Sequence, residues 1–147
     1  MELKSNGNTS VLLVLLAFSI VATTLWYTNN LANKLKVEEQ KKVALWAKAT
    51  KELSEINSSN YDVGFVFEVV NNNTTVPVIQ INDSGDIIAH RNIKPPHTDT
   101  ELQKQVKLMK RKYPPIEIEL INGTKEYIYY RDSRLLQNLK NFPFFIL

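Results

Sequence analysis

The hydrophobic pattern divides the chain into one uniformly apolar block and a longer, patterned remainder. The block is VLLVLLAFSIVATTLWY, Val11 to Tyr27, and no Asp, Glu, Lys or Arg occurs between Lys4 and Lys34. As a helix rising about 1.5 Å per residue it reaches most of the way across a bilayer core of about 30 Å, its flanks supplying the rest. It is apolar all round, which argues against a striped helix resting on a soluble core. Trp26 and Tyr27 stand at its downstream end, where amphipathic rings favour the headgroup layer. Ala22-Thr23-Thr24 is a poor leader-cleavage site and is followed by those bulky rings, so an uncleaved anchor is expected. The expected organisation is a tail over 1–10, a transmembrane helix over 11–27 and one domain over 28–147.

Asn29 to Ile56 contains no Pro or Gly, and Leu31, Leu35, Val43, Leu45, Trp46, Ala49, Leu53 and Ile56 recur at broadly helical spacing. The spacing predicts a stalk helix over 29–56, extending about 40 Å beyond the membrane with one face on its own domain. Glu38 and Lys42 are placed for an i,i+4 ion pair. Glu38, Lys42 and Glu52 would fall on a heptad seam, which weakens the case for an autonomous coiled coil. A short helix is expected over 62–70, ending in Asn71-Asn72-Asn73.

Val76–Ile81 and Ile87–Asn92 read as strands joined by the turn Asp83-Ser84-Gly85-Asp86. Thr98 and Glu101 form a capping box for a helix over Asp99–Tyr113, with Leu102, Val106, Met109 and Tyr113 on one face. Pro114 and Pro115 stop it. Ile116–Leu120 alternates as a half-buried strand, Asn122-Gly123 predicts a two-residue hairpin turn, and Lys125–Arg131 returns. Tyr127 and Tyr129 then share one face, Ile128 and Tyr130 the other. Ser133 is placed to cap a last helix carrying Leu135, Leu136, Leu139 and Phe142. The fold class is α+β: a membrane helix continuing into a long helix, then a small antiparallel sheet of two hairpins packed with helices. The aromatic ending Phe142–Leu147 has no charge after Lys140 and is expected to lead into a second membrane segment.

Composition narrows the chemistry. The 147 residues hold no cysteine, which excludes disulfides, a thiol nucleophile and Cys-based zinc sites. Four glycines leave no phosphate-cradling loop. A net charge of +3, with basic residues interleaved among acids, argues against a nucleic-acid partner. His90 and His97, the two histidines, do not match a zinc spacing. Asp83–Asp86 is too short for a calcium loop, and Glu117 and Glu119 read as the solvent side of a hairpin. Sequons at Asn57, Asn72, Asn73, Asn82 and Asn122 carry weight only in a glycosylating pathway. No nucleophile–base set can be assembled, so no catalytic residue, metal or cofactor is expected.

Three blocks carry a family likeness: LWYTNNLANKLKVEEQKKVALWAKAT (Leu25–Thr50), FEVVNNNTTVPVIQINDSGDIIAHRNI (Phe67–Ile93) and YPPIEIELINGTKEYIYYRDSRLLQNLKNFPFFIL (Tyr113–Leu147). Together they resemble the amino-terminal input region of membrane-bound two-component sensor histidine kinases. The resemblance implies a first membrane helix, an extracytoplasmic domain of PAS- or Cache-like outline, a periplasmic location on the inner membrane, a homodimer and a phosphorelay output. The phosphoacceptor and ATP-binding motifs of that family do not occur in these 147 residues, so no kinase residue carries over. Lys34, Lys36, Lys41 and Lys42 outnumber the positive groups before the apolar block, and that count by itself favours a cytoplasmic domain; the resemblance implies the opposite. Tyr127, Tyr129 and His90 are the candidate ligand-facing residues, toward a small ligand or a periplasmic protein. The alternative reading is a membrane-tethered adaptor without enzymatic activity.

Overall fold

One uninterrupted helix, α1 (Gly7–Ser54), joins the apolar block to the stalk in the computed structural model, which describes residues 7–55, 69, 71–73 and 75–146, the side chains of 143–146 excepted. At about 1.5 Å per residue its 48 residues make a rod about 72 Å long. The large apolar side chains from Val11 to Ile20 are 59–73% exposed, and the apolar window of this helix buries nothing against the rest of the chain. By length and composition α1 can cross a membrane once. Its hydroxyls suit that setting: Thr23 Oγ1 donates to Ser19 O and Thr24 Oγ1 to Ile20 O, both at 2.8 Å, so neither needs water.

The stalk's buried stripe agrees with the one expected at Val43, Trp46 and Ala49 and departs from it elsewhere. Thr28, Ala32, Glu39, Val43, Trp46, Ala47 and Ala49 are buried, whereas Leu31 and Leu45 are exposed. Neighbours chose this face over raw hydrophobicity: Glu39 is covered because it has a polar partner, described below. Glu38 pairs with Lys41 at 3.0 Å, one turn position earlier than the predicted Lys42. Both ends of that pair are exposed, so it contributes a few tenths of a kcal/mol. The short helix expected over 62–70 lies, apart from Val69, outside the described residues.

The remaining elements are β1 (Val78–Asn82), β2 (Ile87–Arg91), α2 (Asp99–Lys112), β3 (Ile116–Glu119), β4 (Lys125–Tyr130) and α3 (Arg134–Ile146). The strands form one antiparallel sheet in the order β2-β1-β4-β3, so the two hairpins meet along β1 and β4. The fold is α+β with a four-stranded antiparallel sheet. Both hairpins close in the same way. Gly85 N donates to Asn82 O and Gly123 N to Leu120 O, and each glycine has positive φ, 90° and 80°. This is a three-residue loop with the glycine in the left-handed position. The predicted two-residue Asn122-Gly123 turn would require positive φ at Asn122 as well, and Asn122 does not adopt it.

Helices cover both faces of the sheet. On one face Val76, Val78, Ile118 and Ile128 pack against Val43, Trp46 and Ala47 of α1. On the other, Ile79 and Ile81 pack against Leu102, Val106 and Met109 of α2, with Ile87 and Tyr129 alongside. Ile79, Ile128 and Leu136 are fully enclosed, each burial stabilising by about 1.5–3 kcal/mol. Thr98 caps α2 as expected, its Oγ1 accepting from Glu101 N. Tyr113 does not continue the helix: it is the extended C-cap, and its side chain turns away from the α2 face. α3 packs along α1, beginning beside Glu39.

Candidate functional site

The most elaborate polar arrangement lies where α1, the end of α2, the end of β4 and the start of α3 converge. Ser133 precedes α3 and caps it, its Oγ accepting from Leu136 N at 3.2 Å. The same Oγ donates to Glu39 Oε1, and Ser133 N donates to Glu39 Oε2 at 3.0 Å. A buried carboxylate of α1 thus holds both the cap hydroxyl and the cap amide of α3. A negative group at a helix N-terminus is also favoured by the orphan amides there. Ala32 and Thr28, two and three turns closer to the apolar block than Glu39, are buried as well. α3 therefore leaves the Glu39 clasp along the side of α1 that leads back toward the apolar segment.

Asp132 is the second centre. Its side chain is 2% exposed, and it accepts from Tyr113 Oη at 2.5 Å, Lys140 Nζ at 2.7 Å and Lys112 Nζ at 3.3 Å. Burial alone would raise its pKa; the hydrogen bonds from Lys140 and Tyr113 and the charge of both lysines outweigh it and hold the carboxyl below its ordinary value. Burial, then the Asp132 hydrogen bond and charge, push the Tyr113 hydroxyl up. The Tyr113 ring stacks on Tyr130 at 5.1 Å with planes 5° apart, and Lys36 of α1 lies over it at 5.3 Å. Burial raises the Tyr130 hydroxyl too, against a hydrogen bond from Gln40. Every element entering this junction is therefore tied to at least one other by a side chain. The Ser133 hydroxyl and the Glu39 carboxylate that accepts from it are both buried, and together they hold the start of α3 to α1.

The predicted ligand-facing residues lie elsewhere. Cross-strand register places His90, Ile79 and Tyr129 in one row across β2, β1 and β4, with Tyr127 in the next row on the same face. That face meets α2. Tyr129 packs against the α2 core, and Ile79, fully enclosed, separates it from His90. The three share that face. His90 instead meets His97, ring centroids 4.4 Å apart, while His97 Nε2 lies 2.7 Å from Ile93 O. Burial first, then the neighbouring His97, lowers the His90 pKa. Among the described residues no three His, Cys, Asp or Glu side chains gather as a metal site. Sequence reasoning found Ser133 as a cap but missed Glu39, Asp132, Lys112 and Lys140. The available signal was weak: an Asp-Ser pair placed immediately before an apolar helix.

Two open clefts flank the joint. One, of about 350 Å³, is lined by Leu35, Glu39, Lys42 and Leu135 among others. The other, of about 590 Å³, is polar and lies between the loop after β2, α2 and the start of α3. Arg134 borders both.

No family model matches the chain, and neither a curated protein nor a solved structure matches it.

Proposed function

We propose that this chain is the input module of a membrane-bound signalling protein of the two-component sensor histidine kinase type. In this reading the apolar part of α1 crosses the inner membrane, residues 28 onward form a PAS- or Cache-like domain on the periplasmic side, and the module works as a homodimer. The carrying observation is mechanical. α1 is one helix from the apolar block to the sheet core, and α3 is clasped to it at Glu39 and Ser133. A stimulus that changes the packing of sheet against helices would shift α1 relative to α3, the differential motion a signalling helix pair needs. The block resemblance to sensor kinases supplies the output.

Topology mapping tests it. Reporters fused after Lys48 should show an extracytoplasmic position, with a periplasmic phosphatase fusion active and a fluorescent cytoplasmic reporter dark. The reverse pattern would sink the sensor reading.

A further inference from the structure

The 590 Å³ cleft beside the joint has the composition of a binding site for anions. Three cations border it from three separate segments: Lys94 in the loop after β2, Arg131 after β4, and Arg134 opening α3. The one acid in its lining, Asp132, is already engaged by Lys112, Lys140 and Tyr113, so it does not neutralise these three. Arg131 is held in place by Gln105, to whose Oε1 its Nη1 donates at 3.0 Å. Its Nε is buried and has no hydrogen-bond partner among the described residues. That buried nitrogen is closed to the cleft, so any contact with a bound group would come from the outer nitrogens of the guanidinium. Arg131, Arg134 and Lys94 bring two guanidinium groups and an ammonium to one cleft of metabolite size, and these are the donors that carboxylate and phosphate groups take.

We propose that this cleft binds a small, soluble oxyanion bearing carboxylate or phosphate groups, bridging Lys94 and Arg131 to Arg134 at the start of α3. The bound group would stand one residue from the Ser133–Glu39 clasp, so its pull on Arg134 would reach the α1–α3 joint directly. That signalling consequence rests on the function proposed above; the binding itself does not. The joint's height argues for a soluble anion over a lipid headgroup. Glu39 is twelve residues past Tyr27, about 18 Å along α1, whereas the headgroup layer extends only about 5–8 Å beyond the hydrocarbon core.

The test uses the full chain in nanodiscs, with citrate, succinate and inorganic phosphate as probes against chloride at matched ionic strength. At least one probe should raise the melting temperature saturably. Arg134→Gln and Lys94→Gln, both at exposed positions, should each weaken that probe about tenfold, the equivalent of one charge-assisted contact. Lys110→Gln, on the exposed side of α2 and outside the cleft, should leave it unchanged. Stabilisation no greater than chloride gives, or an effect untouched by Arg134→Gln and Lys94→Gln, would overturn the site. Nanodiscs rich in anionic lipid should bind the probe as zwitterionic ones do; competition by the anionic lipid would overturn the assignment to a soluble ligand. Reporter topology is read independently, so a cytoplasmic domain that still binds the probe would leave the site standing and remove only its sensory role.

Discussion

At the residue scale, two buried carboxylates do different work. Glu39 is satisfied by one residue, Ser133, which also caps a helix. Ser133→Ala removes the cap and one of the two donors to Glu39, and should cost about 2–3 kcal/mol, combining a cap with a partly orphaned acceptor. Adding Glu39→Gln should recover part of the loss, because a neutral amide is less costly to leave half-satisfied. Thermal unfolding of the four members of that cycle in detergent, followed by circular dichroism, measures the coupling; strict additivity would show that the contact is incidental. Asp132, held below its ordinary 3.8 by Lys140, Tyr113 and Lys112 against the opposing effect of burial, gives a pH dependence. A carboxyl with a depressed folded pKa contributes stability that is present above the unfolded value and lost as pH falls through the folded one. His90, a base whose folded pKa is lowered, acts in a separate window: the unfolded chain takes up the proton first, so stability declines as pH drops below about 6.5. The melting temperature should therefore fall in two steps on acidification. His90→Gln should remove the upper step and Asp132→Asn the lower one, the latter from a reduced baseline. Ser133 was legible because capping is local; Glu39 was not, because its partner is 94 residues away and no local pattern marks that contact.

At the element scale the sheet and the places of its two turns were legible, and the type of the second turn was not. The alternation of Ile116–Glu119 placed Ile118 inward and Glu117 outward, where Glu117 meets Lys125 at 2.9 Å. Facing in β4 also followed the two-residue period: Ile128 and Tyr130 toward α1, Tyr129 toward α2. The second loop is one residue longer than expected because Asn-Gly fits more than one turn type, and the choice depends on closing bonds such as Leu120 N to Thr124 O at 2.9 Å. The same ambiguity of strength applied to the stalk, where leucines were chosen over Thr28, Ala32 and Glu39: periodicity finds a helix, and the neighbours decide which stripe is covered. The left-handed glycines make a separate prediction. A Cβ at Gly85 or Gly123 would meet open space, so the cost of alanine is conformational alone, about 1–2 kcal/mol at each site. Gly123→Asn should cost less than Gly123→Ala, since asparagine tolerates the left-handed region. Equal melting temperatures for the two would point to packing in place of backbone preference.

At the scale of the whole molecule, the polar junction limits how far α1 and α3 can shift relative to one another. The clasp ties the start of α3 to α1, Lys140 and Lys112 tie α3 and α2 to the same Asp132, and Tyr113 stacks the end of α2 on β4. The sheet and the cleft are thus joined to α1 through one junction, which lies between them and the apolar end of that helix. The chain contains no cysteine, so introduced ones report without background. Spin labels at Lys41→Cys on α1 and Asn138→Cys on α3, both exposed, should give a single narrow distance distribution in the full chain in nanodiscs. Glu39→Ala should broaden it, because α3 then keeps only its apolar packing and the Asp132 ties. Asp132→Asn together with Glu39→Ala should broaden it further, as neither helix end would retain a charged anchor to the other elements. A distribution equally narrow in all three would mean that the apolar contacts of Leu136 and its neighbours fix the helices unaided, and that the polar junction stabilises the domain without steering the relation between α1 and α3.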